Sequence, residues 1–199
     1  MGEPAANAPA ADAPAADAPL GTPRSILVAV VMRADTCTIA FCASMLKLQV
    51  QLARSRDVAV AIDFVSSEDA GWAAFEAGGH ETLVLLDSHM GVSPDFVLEA
   101  PAADCVISPY PLPTLDWARA ETLLKDPACA RPEEAALVYN VDPPAPCVPI
   151  DRVTDMRVAK YRRGAPRKPD SVHVDLEHPS QCHGMVAFTG CVGHRRVLR

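Results

Sequence analysis

The apolar residues in the first half of the chain occur in two alternating patterns. Continuous apolar runs are typical of strands covered on both faces of a sheet, and apolar residues at helical spacing are typical of helices packed on that sheet. The clearest run extends from Ile26 to Val31. The two patterns predict a strand at residues 25–31, a helix at 36–54, a strand at 58–65, a helix at 68–77 and a strand at 82–86 that ends on Asp87. This β-α-β-α-β order predicts a three-layer α/β domain with a mostly parallel sheet.

The second half of the chain has fewer regular patterns. Ser93 and Pro94 indicate a short helix that ends at Leu98, because a serine cap followed by proline suits a first helical turn. Residues 126–170 contain eight prolines and few periodic runs, so we expect a long, mostly irregular excursion there. The remaining predicted elements are strands at 104–108, 136–139 and 184–192 and a helix at 116–124. Together the elements predict one domain spanning residues 25–199.

Residues 1–24 differ in composition from the rest of the chain. Residues 5–19 consist of three copies of a five-residue unit, AANAP, AADAP and AADAP. The small side chains and regularly spaced prolines of this unit offer little to bury, so we expect a disordered leader. A secretory signal is disfavoured because Asp12 and Asp17 lie where its apolar stretch would be.

The length, charge and cysteines of the chain argue against several classes of protein. The 199 residues suit a single domain, and no apolar run approaches the roughly 18 residues of a membrane span. A formal net charge of −7 argues against a nucleic-acid partner. Seven cysteines without a CxxC pair argue against a disulfide framework, and we expect Cys37 and Cys42 to be small core residues. These features indicate a cytoplasmic protein.

Candidate chemistry lies where the predicted strands end. In open α/β sheets, ligands bind beyond the carboxyl ends of the strands, where the loops converge. Asp87 and His89 follow the third predicted strand, and residues two apart in extended backbone project to the same face. Both side chains can therefore reach one divalent cation. The alternative from the pattern alone is an aspartate that caps the next turn beside a solvated histidine.

Two longer segments resemble a known family. The runs LVLLDSHMGVSPDFVLE and DCVISPYPLPTLDW resemble the central stretch of the GT-A-fold glycosyltransferase-like proteins of phages and large DNA viruses. Those proteins have a hydrophobic strand before an Asp-x-Asp motif, a helix that opens on proline, and a strand that ends in Tyr-Pro near Asp-Trp. The matching residues here are Asp87, Pro94, Tyr110, Pro111, Asp116 and Trp117. The resemblance covers residues 25–199 and implies a Rossmann-like, mostly parallel, GT-A-like sheet.

The resemblance implies a protein that binds a nucleotide-sugar donor and transfers the sugar to an unknown acceptor. The base and ribose of the donor are expected against Met32, Arg33 and Asp35, after the first strand. A Mn²⁺ or Mg²⁺ ion is expected to bridge the donor diphosphate to Asp87, because a divalent cation neutralises the charge that a leaving diphosphate accumulates. The remaining implied roles are metal ligand for His89 and for His183, and acceptor contact or general base for Asp116.

Two departures from the family pattern favour an alternative. His89 replaces the second carboxylate of the Asp-x-Asp motif, which removes one negative charge from a site for a hard cation. The predicted helix at residues 68–77 lacks the arginine that faces the donor in the family. The alternative to an active metal-dependent glycosyltransferase is therefore a catalytically inactive relative, a structural or binding protein such as a virion component. A viral protein of this kind is expected in the host cytoplasm or in the virion.

Three other features are interpreted as structural rather than functional. The stretch at residues 151–168 has seven Lys or Arg and two acidic residues, and we interpret it as a solvated loop, the alternative being a site for an anionic donor or a nucleic acid backbone. Trp72 is interpreted as a core or half-buried helix residue. His173, His178 and His183 are interpreted as surface residues of a polar loop, with a cation ligand at His183 as the alternative.

Overall fold

The computed structural model describes residues 23–33, 36–55, 57–129, 136–141 and 146–182. Within these ranges the protein is a mixed α/β structure built on a seven-stranded sheet. Its helices are α1 (Ile39–Leu52), α2 (Glu68–Gly78), α3 (Pro94–Leu98) and α4 (Trp117–Leu124). Its strands are β1 (Arg24–Val31), β2 (Val58–Val65), β3 (Thr82–Asp87), β4 (Met90–Gly91), β5 (Cys105–Ile107), β6 (Pro111–Leu115), β7 (Leu137–Tyr139), β8 (Cys147–Pro149), β9 (Val158–Arg162), β10 (Ser171–Val174) and β11 (Gln181–Cys182).

The strands of the large sheet lie in the order β2-β1-β3-β9-β5-β10-β8. β1 pairs in parallel with β2 and β3, and β10 pairs in parallel with β5. β9 is antiparallel to both of its neighbours, β3 and β5, and β8 is antiparallel to β10. Five strands therefore run in one direction and two in the other, so the sheet is mixed with a parallel majority. Two small two-stranded sheets accompany it, β4 with β11 and β6 with β7.

The ends of the first two helices follow from local sequence signals. Thr38 caps α1, and its hydroxyl accepts a hydrogen bond from the backbone N–H of Phe41 at 3.2 Å. Ser67 caps α2 in the same way, accepting from the N–H of Ala70 at 3.2 Å. α2 stops at Gly79, which has a left-handed φ of 70° that glycine adopts without strain. These signals are local, and the predicted β-α-β-α-β order of the first half is confirmed.

Helices cover both faces of the sheet. α1 and α3 pack on one face, in a cluster that includes Val28, Phe41 and Phe96. α2 packs on the opposite face, where Trp72 and Phe75 are buried. Alternate residues of β1 belong to the two clusters, because successive side chains of a strand point to opposite faces. The three-layer arrangement is therefore present around β1, and the prediction that Trp72 is a core residue is confirmed.

β9 lies inside the basic stretch that the sequence predicts to be a solvated loop. That prediction is wrong for Val158–Arg162, a strand of the large sheet whose first four residues are buried. The polar residue that interrupts the apolar pattern is Lys160, whose ammonium donates hydrogen bonds to the backbone oxygens of Phe96 at 2.6 Å and Glu99 at 3.1 Å. A lysine with buried hydrogen-bond partners can occupy a core position that pattern reading assigns to solvent. β8 is a second strand in the excursion that the sequence does not predict.

Cys37 and Cys42 are exposed, so the prediction that they are core residues is wrong. The buried face of α1 consists of Phe41, Ser44 and Leu48. Cys42 follows Phe41 and is therefore rotated by about 100° around the helix. Apolar residues of α1 lie on both its inner and its outer side, so hydrophobicity alone does not indicate which side meets the sheet.

Some predicted segments lie outside the described residues. The leader at residues 1–24 does so except for its last two positions, and the strand at 184–192 does so entirely. The short helix at Ser93–Leu98, the strand at 104–108 and the helix at 116–124 are confirmed as α3, β5 and α4. No helix within the described ranges is long and apolar enough to cross a membrane.

Candidate functional site

The ends of β1 and β3 bring two of the predicted site residues into contact. Asp87 is the last residue of β3, and its side chain is 1% exposed. Its Oδ2 accepts a hydrogen bond at 2.6 Å from the Nε of Arg33, which follows β1. β1 and β3 are parallel neighbours with Val31 opposite Asp87, so the residues after β1 lie beside the end of β3. The buried carboxylate therefore holds one edge of a guanidinium whose side chain is 49% exposed.

His89 contacts the other oxygen of the same carboxylate. The backbone N–H of His89 donates to Oδ1 of Asp87 at 2.8 Å, and its Nδ1 lies 3.0 Å from the same atom. A carboxylate oxygen accepts, so Nδ1 is the donor in this contact and Nε2 is the ring nitrogen that the contact does not use. The side chain of His89 is 37% exposed. The contact thus orients the imidazole so that the Nε2 of a neutral ring can accept a proton.

Ser88 ties this turn to the start of α1. Its backbone N–H donates to the backbone oxygen of Val31 at 3.1 Å, and its own backbone oxygen accepts from the N–H of Thr38 at 3.2 Å. Its buried hydroxyl donates to the backbone oxygen of Thr36 at 3.2 Å. The turn after β3 is therefore fixed by the segment between β1 and α1, on which Arg33 also lies.

A polar network that the sequence does not indicate lies next to the carboxylate. The backbone N–H of Asp87 donates to the backbone oxygen of Arg157 at 2.9 Å, and the charges of the two side chains interact. The Nε of Arg157 donates to Oδ2 of Asp155 at 2.7 Å, and its backbone N–H donates to the hydroxyl of Tyr110 at 3.2 Å. Burial raises the pKa of the Tyr110 hydroxyl well above its ordinary value. Tyr110 therefore stays protonated, and its hydroxyl holds the backbone of Arg157 next to Asp87.

Asn140 holds this network together. It is fully buried. Its Oδ1 accepts from the backbone N–H of Tyr110 at 2.9 Å, and its Nδ2 donates to the backbone oxygen of Asp155 at 3.0 Å. In the sequence, an isolated asparagine beside several prolines is typical of a turn. The pattern therefore contains no signal for a buried asparagine that joins two distant segments.

Arg33 is also close to Glu68, the first residue of α2. The Nη2 of Arg33 lies 3.7 Å from Oε1 of Glu68, and the Glu68 side chain is 57% exposed. Such an exposed ion pair contributes little to stability. The outer edge of the Arg33 guanidinium therefore remains open to an anionic ligand that displaces Glu68.

The arrangement around Asp87 does not fit the predicted divalent cation. Both carboxylate oxygens already accept hydrogen bonds, from Arg33 and from His89, and a guanidinium this close repels a second cation. In the part of the chain that the structure describes, no three His, Cys, Asp or Glu side chains form a group that could hold a metal. The third predicted ligand, His183, lies outside the described residues, one position after β11. The described residues therefore do not offer a free set of ligands for a divalent cation at Asp87.

The remaining predicted site residues occupy different surroundings. Met32 is partly buried and packs against the core cluster on the α1 side of the sheet. Asp35 lies outside the described residues. Asp116 is exposed and caps α4, with its Oδ1 accepting from the N–H of Arg119 at 2.9 Å. Its role as acceptor contact or general base stays a prediction.

Arginines of the basic stretch pack on α2. Arg163 donates to the backbone oxygen of His80, just beyond the end of α2, at 2.7 Å, where a cation complements the helix dipole. Arg167 forms an ion pair with Asp69 at 3.3 Å, and its guanidinium lies 5.2 Å from the ring of Trp72. These side chains therefore attach the β9–β10 connection to α2, although the connection is largely exposed, as the prediction of a solvated loop requires.

The predicted surface histidines are partly buried where the structure describes them. His173 belongs to β10, and the His178 side chain is 17% exposed with its Nδ1 at 3.2 Å from Oδ2 of Asp175. The interpretation of His173 as a loop residue is therefore wrong, because β10 places it in the large sheet, whereas His178 does lie in the loop after β10. His173 and Asp175 also line a cavity of about 320 Å³ together with Lys160 and Glu99.

No family model, curated protein or solved structure matches this chain. We therefore infer function from the chemistry of the site and from the family resemblance of residues 25–199. The relevant geometry is a buried carboxylate that orients a half-exposed guanidinium and a half-exposed imidazole at the end of two parallel strands.

Proposed function

We propose that the protein is a glycosyltransferase-like protein that binds a nucleotide-sugar donor where β1 and β3 end. The observation that carries this proposal is the contact between the half-exposed Arg33 and the buried Asp87. Ligands of open α/β sheets bind at this edge, and an arginine fixed by a carboxylate is preorganised to bind phosphate oxygens. A GT-A-like, Rossmann-like fold is part of the same proposal, and the parallel majority of the strands supports it.

In this proposal the donor diphosphate contacts the outer edge of the Arg33 guanidinium. Glu68, the other partner of that guanidinium, is at 3.7 Å and exposed, so its displacement costs little. The base and ribose then lie against the loop after β1, which includes Met32 and Asp35. The partly buried Met32 supplies apolar surface for a base.

His89 is proposed to accept the proton of the acceptor hydroxyl. As the acceptor oxygen bonds to the anomeric carbon of the sugar, the bond from that carbon to the diphosphate breaks, and the hydroxyl proton passes to Nε2 of His89. Support comes from the hydrogen bond of Nδ1 to Asp87 at 3.0 Å, because an imidazole oriented by a carboxylate is an effective general base. Asp116 is the competing candidate for the same role.

A Mn²⁺ or Mg²⁺ ion held by Asp87, His89 and His183 stays a prediction, and no step of the proposal depends on it. The charged side chains near Asp87 carry one net negative charge before a donor binds, with Arg33 and Arg157 against Asp87, Asp155 and Glu68. A bound diphosphate adds negative charge that a divalent cation would neutralise. The hydrogen bonds that Asp87 already accepts count against the ion. Donor binding in Mn²⁺ or Mg²⁺ but not in EDTA would support the ion, and equal binding in EDTA would contradict it.

A catalytically inactive relative, a structural or binding protein such as a virion component, is the second candidate. The observation that favours it is that both oxygens of Asp87 accept hydrogen bonds within the protein. In that case Asp87 and Arg33 form a structural ion pair, and the edge binds a ligand without transferring a group.

Donor binding is tested by calorimetry with UDP-sugars and GDP-sugars, in Mn²⁺, in Mg²⁺ and in EDTA. We expect at least one donor to bind, and Arg33→Ala to weaken binding about tenfold or more through loss of a charge-assisted hydrogen bond. Arg119→Ala, which removes an exposed arginine of α4, is the control and should leave binding unchanged. No binding of any donor at millimolar concentration in all three conditions contradicts the proposal.

Slow hydrolysis of a bound donor separates the transferase from the inactive relative. We expect His89→Gln to abolish hydrolysis while donor binding remains, and Asp116→Asn to leave hydrolysis nearly unchanged. The reverse result assigns the general base to Asp116. Donor binding without hydrolysis in the unaltered protein supports the inactive relative.

A further inference from the structure

α1 is apolar on both of its sides. On the inner side, Phe41 and Leu48 are buried in the core. On the outer side, apolar or small residues recur at helical spacing and share one stripe. This outer stripe consists of Ile39, Cys42, Ala43, Leu46 and Val50, all of them exposed. The exposed Lys47 and Gln49 flank this stripe. A contiguous exposed apolar stripe is typical of a surface that another element covers, so a further element is expected on the outer stripe.

A groove lies beside the outer stripe. It has a volume of about 410 Å³ and is lined by Leu46, Lys47, Val50, Gln51 and Pro94. The Oε1 of Gln51 is buried and has no hydrogen-bond partner among the described residues. An unpaired buried acceptor costs about 1–3 kcal/mol, so the polar groups on this side of α1 are not fully satisfied by the described residues.

The described part of the chain ends close to the first turn of α1. In β11, Cys182 lies opposite Met90 of β4. β4 in turn packs against α1 so closely that a Cβ on Gly91 would lie 3.2 Å from the Cβ of Ala40. Paired strands are about 4.8 Å apart. The chain after Cys182 therefore starts about one strand spacing from the strand that touches α1.

We propose that residues 184–192 of this chain cover the outer stripe. Their sequence, GMVAFTGCV, contains no charged residue, which matches the apolar character of the stripe. From Ile39 to Val50 the stripe is about 16 Å long at 1.5 Å per residue, and nine extended residues span about 30 Å. The segment is therefore long enough, and it follows β11 after a single residue.

The first test compares two thiols of the unaltered full-length chain. Cys42 belongs to the outer stripe, and Cys147 is an exposed residue of β8. We expect a maleimide to modify Cys42 at least about tenfold more slowly than Cys147, because the covering segment must open first. Equal rates overturn the proposal. Protection of Cys42 that disappears on dilution also overturns it, because it assigns the stripe to a second copy of the chain.

A full-length variant with Met185→Ser, Val186→Ser and Phe188→Ser provides the matched control for this test. We expect Cys42 to react as fast as Cys147 in that variant, since the segment has lost its apolar side chains. Unchanged protection of Cys42 overturns the proposal. Circular dichroism that matches the unaltered protein establishes that the variant is folded.

The second test uses a short bis-maleimide in a full-length variant that keeps Cys42 and Cys191. Cys105 is buried and is left in place, and the residues changed to Ser are Cys37, Cys129, Cys147 and Cys182. We expect an intramolecular cross-link in high yield. The control keeps Cys147 in place of Cys42 and should cross-link poorly, because β8 is five strand spacings, about 24 Å, from β1. Equal yields in the two variants, or cross-linked dimers, overturn the proposal.

Discussion

At the scale of single residues, Asp87 is the group on which the candidate site depends. One buried carboxylate accepts from the guanidinium of Arg33 and from both nitrogen donors of His89. Glu68 contacts the same arginine from the solvent side at a longer distance. The two carboxylates should therefore differ in their contribution to stability, because Asp87 is buried with both oxygens hydrogen-bonded, whereas Glu68 is exposed.

We predict that Asp87→Asn lowers the free energy of unfolding by about 2 kcal/mol. The asparagine amide would direct a donor at Arg33 or at His89, which are donors themselves. Glu68→Gln is the control and should change the free energy by less than about 0.5 kcal/mol. Urea denaturation measures both. Equal effects of the two substitutions would show that Asp87 is not the main partner of Arg33.

Lys160 predicts a particular dependence of stability on pH. Burial lowers the pKa of its ammonium to about 8, from an ordinary value of 10.5. Between these values the unfolded chain binds more protons at this residue than the folded protein does, so the contribution of Lys160 to stability rises with pH. Below about pH 8 both states are protonated, and this contribution no longer changes.

We predict that the free energy of unfolding of the unaltered protein, minus that of Lys160→Met, increases by up to about 3 kcal/mol between pH 8 and pH 10.5. Burial also raises the pKa of the Cys105 thiol to about 12, which lowers stability at alkaline pH in both proteins and cancels in the difference. Urea denaturation across this pH range measures it. A difference that is flat or falls with pH contradicts the prediction.

At the scale of elements, the approach of α2 to the sheet depends on one glycine. A Cβ at Gly71 would lie 3.0 Å from the Cβ of Ala29 and 3.0 Å from Cδ2 of Leu85. The leucine terminus can rotate, but the methyl of Ala29 is fixed to β1. Added volume at this point must therefore push the helix outward from the strand.

We predict that Gly71→Ala destabilises the protein by about 1–2 kcal/mol, although alanine is the better helix former by about 1 kcal/mol. Ala73→Gly, at an exposed position of the same helix, measures the difference in helix propensity between alanine and glycine without a change in packing. Thermal and urea denaturation of both variants give the comparison. A stabilised Gly71→Ala would show that α2 moves away from the sheet at no cost.

The elements that the sequence predicts well are those with local signals. Thr38 and Ser67 start their helices, and Gly79 ends α2. β9 lacks such a signal, because Lys160 interrupts its apolar pattern and its partners, Phe96 and Glu99, are more than sixty residues away. Asp87 and His89 meet because the chain turns after β3 and Asp87 caps that turn, which is the alternative that the sequence pattern offers. Arg157 lies beside them because β9 pairs with β3. The hydrophobic pattern of the sequence does not indicate this order of strands.

At the scale of the whole molecule, β9 divides the large sheet. β3 and β5 have no pairing with each other and are joined through β9, and β5 pairs only with β9 and β10 in the described part of the chain. The second half of the protein therefore supplies the centre of the sheet rather than an addition to its edge.

We predict that a fragment ending at residue 129 does not unfold cooperatively, because it lacks the strand that joins β3 to β5. Near-ultraviolet circular dichroism during urea titration measures this. Addition of a second fragment, residues 130–199, should restore a cooperative transition. A sharp transition in the first fragment alone would show that β1, β2 and β3 with their helices form an independent unit.

The position of β9 also matters while the protein is being made. On the ribosome, β5 is synthesised long before either of its neighbours, and β9 is completed when residue 162 of 199 has been added. Until then the free edges of β3 and β5 are exposed, and unpaired strand edges attract other chains. The nascent chain should therefore depend on chaperones until β9 has been added, even though its first three strands are adjacent in sequence.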